Sequence, residues 1–275
     1  MFKVKKDYIE INDLSQFNID QILESGQIFS YEKMRDYYLV LSGNKCAKVK
    51  KENNVVKIFT SDIDYFINFF DLKSDYNVYK KIILENFPQF VQILNYGYGI
   101  RMLKQDMVEM FVSWVISANN NIKRIKKSIK YLRKNAGENM GEFYSFPTLD
   151  KLKQLDEKFF IAAGCGYRAS QLVRLIDALD FQKLKDYYYL ETSVLKNELL
   201  KYCGIGSKVA DCILMSVYDK KDVFPVDTWI EKVYHQYFNE NEKDRKKMRE
   251  NLVHTFQNLS AYIQQLFFYF KRFTN

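Results

Sequence analysis

Proline, histidine and paired cysteines are scarce in this chain, and each scarcity argues against a class of site. The 275 residues include 3 Pro, 2 His and 4 Cys. Two histidines, His235 and His254, leave little material for a His-rich metal site or a hydrolytic triad. The cysteines form no Cys-x-x-Cys pair, which argues against a zinc site or a cysteine-ligated cluster. We therefore expect reduced thiols, no metal and no cofactor.

Long apolar runs are missing as well. The first residues, MFKVKKDYIEIND, contain no apolar run of signal-peptide length, and no segment approaches the length of a membrane span. We expect a cytoplasmic monomer without a membrane partner. The abundance of Lys, Asn, Ile and Tyr is typical of a low-GC, microbial genome.

What the chain does have is positive charge and a large apolar fraction. It is 47% hydrophobic, which predicts a substantial core, and its net charge is +8 with a pI near 9.0. Such a charge favours a polyanionic partner, most simply nucleic acid. A basic enzyme with a small substrate stays open on charge alone.

Local patterns divide the chain into two regions. DYYLVLSG and NKCAKVKKENNVVKIFTSD contain short β-favouring runs broken by Gly43 and by the ENN turn, which predicts an antiparallel hairpin or meander. After about Tyr98 the apolar residues follow helical spacing. We predict an α+β fold, with an N-terminal antiparallel β-sheet domain over residues 1–98 and an all-helical domain over residues 99–275.

Three segments of the helical region have particular patterns. VEMFVSWVISA (108–118) is typical of a buried central helix. PTLDKLKQLDEKFFIAAG predicts one helix from a Thr148 cap to Gly164. A third segment, IKRIKKSIKYLRK (122–134), contains many basic residues and no acidic residue. Its polar face is therefore either a solvated surface or a surface that contacts phosphate.

The stretch CGIGSKVADC predicts two helices joined by a tight turn. Gly204 and Gly206 allow backbone amides to approach a phosphate, and the next helix adds partial positive charge there. Lys208 falls in the first turn of that helix, where the dipole disfavours a positive charge and so favours the amine form that a nucleophile needs. From the turn alone, simple phosphate binding by Lys208 is the preferred alternative.

Asp227 follows Pro225 in VFPVDTW and has the pattern of a helix N-cap. A carboxylate placed there is also able to stabilise positive charge on a sugar.

Together, LLKYCGIGSKVADCI and VFPVDTW resemble the helix-hairpin-helix DNA glycosylases, and more narrowly the 8-oxoguanine DNA glycosylase/lyase family. The resemblance covers most of the chain in the family's order. It extends through SGQIF (25–29), SANNNIKRI (117–125), GCGYRA (164–169) and YIQQLFF (262–268).

This resemblance implies a bifunctional DNA N-glycosylase and AP lyase that acts on double-stranded DNA containing 8-oxoguanine. Lys208 would attack C1′ of the damaged nucleotide, and Asp227 would stabilise the oxocarbenium-like transition state. The resulting Schiff base would permit β-elimination, which nicks the strand.

The resemblance also implies a pocket for a flipped-out base. Cys212 and Phe268 would cover its two faces, Gln264 would bond its Watson–Crick edge, and the Gly26 carbonyl would accept the N7 hydrogen that only the oxidised base carries. On the residues alone, core packing is the preferred interpretation of Phe268 and Cys212, and Gly26 is open between the role in the pocket and that of a turn glycine.

Four further residues would act at the gap that the flipped-out base leaves in the duplex. Tyr167 resembles the family's wedge, and Asn119, Arg124 and Arg168 resemble the readers of the orphaned cytosine. From type alone, Asn119 is a plausible helix terminator and the arginines plausible phosphate binders.

The chain departs from the family's pattern at two positions. Trp229 replaces a phosphate-contacting histidine, and Cys203 replaces a proline before the hairpin glycine. Two alternatives stay open: an alkylpurine DNA glycosylase, against which Lys208 argues, and a non-catalytic helix-hairpin-helix DNA-binding module.

Overall fold

The computed structural model describes residues 1–274, which fall into two compact units. The sheet unit comprises Met1–Val40, Ala47–Lys104 and the chain from Lys221 onward. The helical unit comprises Leu41–Cys46 and Gln105–Lys220. The spatial division differs from the boundary after residue 98, because the last segment of the chain groups with the first. As a boundary between inherited domains, residue 98 stays a prediction.

The predicted antiparallel sheet is present and has six strands in the order β1-β2-β6-β5-β4-β3. The strands are β1 Phe2–Val4, β2 Tyr8–Ile11, β3 Tyr31–Lys33, β4 Tyr38–Ser42, β5 Lys45–Glu52 and β6 Val55–Phe59. The β4–β5 turn contains Gly43 with φ +56°, and the β5–β6 turn contains Asn53 with φ +49°, so that both expected turn positions are left-handed.

The helices of the sheet unit come from both ends of the chain. They are α1 Ile19–Glu24, α2 Ile63–Phe69, α3 Tyr76–Asn86, α4 Val91–Tyr96, α13 Thr228–Tyr237, α14 Arg245–Phe256 and α15 Ser260–Phe273. Ile9, Ile58 and Phe66 are fully buried between the sheet and its helices. Helix α15 packs against α4, α13 and α14, and these contacts hold the side chains on its buried face in place.

The helical unit contains the eight α-helices that lie between α4 and α13 in the chain. They are α5 Met107–Ser117, α6 Ile122–Ala136, α7 Leu149–Leu152, α8 Glu157–Ala162, α9 Arg168–Ala178, α10 Phe181–Asp186, α11 Thr192–Leu199 and α12 Ser207–Ser216. Every residue of α5 is buried, as its composition predicted, and α6, α9 and α12 pack around it. The α+β fold prediction is thus confirmed.

One predicted helix is wrong. Thr148 caps a helix as expected, through a bond from the Lys151 amide, but the helix ends after Leu152. Asp156 then caps a second helix by accepting the Phe159 amide at 2.9 Å. A second cap inside an apolar pattern divides it into two short helices.

No helix among residues 1–274 is both long and apolar enough to cross a membrane. Over the same residues, no group of three or more His, Cys, Asp or Glu side chains has an arrangement that suits a metal ion.

Candidate active site

The turn between α11 and α12 is held tightly on one side and open on the other. Gly204 has φ +82°, and a Cβ there would lie 2.9 Å from Val115 Cγ1 of α5, so that only glycine fits. Gly206 is the N-cap of α12, and a Cβ there would meet nothing within 4 Å. Gly206 offers no side chain to cap the first amides of α12, and amides at a helix start are a common site for an anion.

Lys208 is the second residue of α12 and is half-buried. Its Nζ lies 4.8 Å from the ring centroid of Trp114, which is within cation–π range. Trp114 is 4% exposed, and its Nε1 donates to Ser216 Oγ at 2.9 Å. The indole is therefore fixed, and it gives the amine a defined platform.

The same helix places Cys212 one turn beyond Lys208. Its side chain is 3% exposed, and its carbonyl accepts the Ser216 hydroxyl at 2.7 Å. Residues four apart share a helix face, so the amine and the thiol project from one side of α12.

An ion pair joins the two helices of the hairpin. Lys196 Nζ of α11 lies 2.8 Å from Asp211 Oδ1 of α12, with side-chain exposures of 13% and 1%. Removing one partner of so buried a pair would leave an uncompensated charge. The pair therefore fixes the hairpin that presents Lys208.

In the sheet unit, Asp227 is the N-cap that its sequence predicted. Its Oδ1 accepts the amides of Trp229 and Ile230, both at 3.0 Å. These bonds fix the orientation of a half-buried carboxylate. Trp229 is half-buried as well, and Lys232 Nζ lies 4.8 Å from its ring centroid.

Gly26 and Phe268 are in direct contact. Gly26 has φ +83°, and a Cβ there would lie 2.4 Å from Phe268 Cε1 and 2.9 Å from Cζ. Gln264, one turn before Phe268 on α15, is 4% exposed, donates to the Pro225 carbonyl at 3.3 Å and accepts from Gln265 at 2.7 Å. The sheet unit thus holds one edge and one ring of the predicted base pocket in fixed places.

Of the four residues expected at the gap left by the flipped-out base, three lie together at the end of α5 and the start of α9. Asn119 has φ +50°, and its side chain is exposed. Arg168 is 5% exposed and donates to the carbonyls of Ala118, Asn119 and Cys165. The ring centroid of Tyr167, which is 62% exposed, lies 4.5 Å from Arg168 Cζ.

The fourth residue, Arg124, belongs to a different helix, α6. It is exposed in the first turn of α6, where its amide bonds the Asn121 cap at 3.0 Å. Within their own units, then, the predicted residues form a Lys208–Cys212 group, an Asn119–Tyr167–Arg168 group and a Gly26–Phe268 contact.

Sequence reasoning missed Trp114, Lys196 and Asp211. Trp114 gave no signal beyond an aromatic residue inside an apolar helix. The position of Asp211, between Ala210 and Cys212 in the mostly apolar α12, was a usable signal of a buried pair.

Family models match nearly the whole chain. Residues 10–111 match the 8-oxoguanine DNA glycosylase N-terminal domain. Residues 112–258 match the HhH-GPD superfamily of base excision DNA repair proteins.

A solved structure and two curated proteins are also similar. The Clostridium acetobutylicum 8-oxoguanine glycosylase/lyase, solved with double-stranded DNA containing cytosine opposite 8-oxoguanine, is 33% identical with a TM-score of 0.93, covering 100% of this chain and 98% of that one. A probable N-glycosylase/DNA lyase of Methanothermobacter thermautotrophicus is 27% identical over 84% of each chain. The N-glycosylase/DNA lyase of Arabidopsis thaliana is 32% identical over 54% of this chain, which spans only 44% of the plant protein.

Proposed function

The chain belongs to the 8-oxoguanine DNA glycosylase/lyase family of the HhH-GPD base excision repair superfamily, and we propose that it excises 8-oxoguanine from duplex DNA and then nicks the strand. The observation that carries the proposal is the setting of Lys208. The position of Lys208 at the start of α12, beside a fixed indole, supports its assignment as the nucleophile.

In this mechanism the Lys208 amine forms a bond to C1′ while the bond from C1′ to the base nitrogen breaks and the base leaves. Asp227 stabilises the positive charge that develops on the sugar ring, and its two backbone bonds hold it ready without reorganisation. Cleavage of the C1′–O4′ bond then opens the sugar ring, O4′ takes up a proton that the lysine nitrogen loses, and C1′ and Nζ form a Schiff base. Removal of a C2′ proton then expels the 3′ phosphate by β-elimination.

Lesion recognition is assigned to the Gly26–Phe268 contact and to its neighbours. We propose that the Gly26 carbonyl accepts the N7 hydrogen of 8-oxoguanine, whereas guanine would present a lone pair there. One such mismatch costs about 1–3 kcal/mol. Phe268 and Cys212 cover the faces of the base, and Gln264 bonds its Watson–Crick edge.

Borohydride trapping tests the nucleophile. Wild type should form a covalent adduct with lesion duplex, and Lys208→Gln should bind that duplex but form no adduct and release no base. Lys201→Gln is the matched control, because Lys201 belongs to the same hairpin and its side chain is 68% exposed. Trapping of Lys208→Gln at the wild-type yield would assign the nucleophile to another lysine.

We further propose that excision is fastest opposite cytosine. Cytosine without its partner exposes O2 and N3 as acceptors and N4 as a donor, which suits two arginines and an asparagine carbonyl. Opposite adenine, the arginines would meet an amine. An unpaired buried donor costs about 1–3 kcal/mol, which is about ten- to a hundred-fold in rate.

Single-turnover excision against each of the four opposite bases tests this preference. Arg124→Met should reduce the difference between the excision rate opposite cytosine and the rates opposite the other three bases. Lys123→Met, one residue earlier, is the control. Equal wild-type rates opposite all four bases would mean that these residues bind only phosphate. The monomeric state and the cytoplasmic location stay predictions.

A further inference from the structure

Helix α6 carries a straight line of exposed lysines, here called the α6 stripe and defined as Lys123, Lys127 and Lys134. Positions four and eleven residues apart fall close to one line on a helix of 3.6 residues per turn. Lys130 falls on the same line. The opposite face is buried against the helical unit, through Ile125, Ile129 and Leu132.

The charge pattern in the first half of α6 works against the stability of the helix, whereas Arg133 and Lys134 in its last turn suit the helix dipole. Its 15 residues include no acid, and its first turn contains Lys123 and Arg124. Positive charge in a first turn opposes the helix dipole. Lys123 and Lys127, four residues apart, repel each other. A solvated helix that served only as surface would be expected to carry acids at these positions, so that an external polyanion accounts better for the pattern.

The stripe is continuous with the proposed site. Helix α6 starts three residues after Asn119, and its first turn carries Arg124, to which we assign the opposite base. From Lys123 to Lys134 the helix rises about 16 Å. That length equals about five base pairs of duplex.

We propose that the α6 stripe binds the phosphate backbone of the duplex arm on one side of the lesion. The inference rests on the proposed function for its partner, duplex DNA. It goes beyond that function by naming a surface that follows the arm away from the damaged nucleotide. Because phosphate contacts release counterions, the stripe contributes affinity that falls steeply with salt and does not depend on sequence.

The test is the salt dependence of binding to undamaged duplex. Each phosphate contact adds about 0.9 to the slope of log K against log salt, so that the triple variant Lys123→Gln, Lys127→Gln, Lys134→Gln should have a slope shallower by about 2.7. Glutamine keeps the helix propensity of lysine at these exposed positions. The charge-matched control replaces three exposed lysines, Lys243 just before α14 and Lys246 and Lys247 in its first turn, and should keep the wild-type slope.

Shortening the duplex gives a second readout. On duplex that contains the lesion, removing the arm on one side of it, and not the arm on the other side, should bring wild type and the stripe variant to the same affinity. A slope in the stripe variant equal to that of the control would overturn the proposal. Excision is assayed separately on lesion duplex, so that wild type inactive on 8-oxoguanine overturns the proposed function while the slope comparison still decides the stripe.

Discussion

Gly26→Ala should damage both the fold and the pocket. The new Cβ would lie 2.4, 2.9 and 3.2 Å from Phe268 Cε1, Cζ and Cδ1, whereas carbon atoms make good contact at about 3.5–4.0 Å. The ring must therefore move by about 1 Å. Displacement of a packed side chain typically costs about 1–3 kcal/mol. The positive φ of +83° adds about 1–2 kcal/mol of backbone strain for alanine.

Gly141→Ala is the matched control, because it introduces the same kind of backbone strain at positive φ without a collision between the new Cβ and a neighbouring side chain. Gly141 has φ +89°, and a Cβ there would meet nothing within 4 Å. Its cost should be about 1 kcal/mol after the smaller entropy of the unfolded chain is included. Gly26→Ala should cost about 2–4 kcal/mol, and the difference between the variants measures the collision with Phe268.

Denaturant unfolding and single-turnover excision together check this prediction. Excision by Gly26→Ala should slow by about 100-fold, since a displacement of 1 Å in a positioning residue can cost that much. In a Phe268→Ala background, Gly26→Ala should cost only about 1 kcal/mol, as Gly141→Ala does, because the ring that the new Cβ would meet is absent. If Gly26→Ala and Gly141→Ala are equally stable and excise at the wild-type rate, the contact does not constrain the pocket.

Two other substitutions have clear expected outcomes. Asp227→Asn keeps a good N-cap but loses the charge, so single-turnover excision should fall by about 100- to 1000-fold with a smaller change in binding; unchanged excision would reduce Asp227 to a cap. Burial raises the pKa of Asp106, the N-cap of α5, so that its carboxylate destabilises the fold as the pH rises through the folded-state value. Asp106→Asn should therefore raise Tm at pH 7 and give no gain below the ordinary pKa of aspartate; the same gain at both pH values would show that the charge is not its cause.

The parts of the fold that sequence predicted are those decided by neighbouring residues. Gly43 and the ENN turn locate the hairpins because a left-handed residue is needed at each turn. The break between α7 and α8 was missed because an apolar pattern hid the Asp156 cap. The grouping of the last helices with the first sheet was not accessible either, since it depends on contacts distant in sequence.

The site divides in the same way. Lys208 and Asp227 stand in motifs that resemble a known family, and that resemblance selected them as catalytic residues; their catalytic roles stay predictions. Trp114 and the Lys196–Asp211 pair depend on how separate helices pack, which no local pattern specifies. A buried acid such as Glu109, bonded by Arg133 through both oxygens at 2.8 Å, was hidden in a helix whose pattern indicated only burial.

Arg124 and Arg168 show why residue type alone does not define a role. Arg168 is buried, and its three bonds to backbone carbonyls use three of its five N–H groups. Its guanidinium is therefore positioned before any DNA arrives, and little further side-chain entropy is lost if its remaining donors meet a base. Arg124 is exposed and must lose that freedom on binding.

The two arginines therefore need different experiments. Substitution of Arg168 would release the carbonyls of Ala118, Asn119 and Cys165 at once, so that any loss of activity would combine loop collapse with lost recognition. Substitution of the Arg124 side chain leaves its cap bond to Asn121 in place, because that bond uses the backbone amide. Arg168 would recognise the opposite base with a side chain that the fold has already positioned, whereas the Arg124 side chain would become ordered only on binding the duplex. For this reason Arg124 is the position at which reading of the opposite base can be separated from the support of the loop.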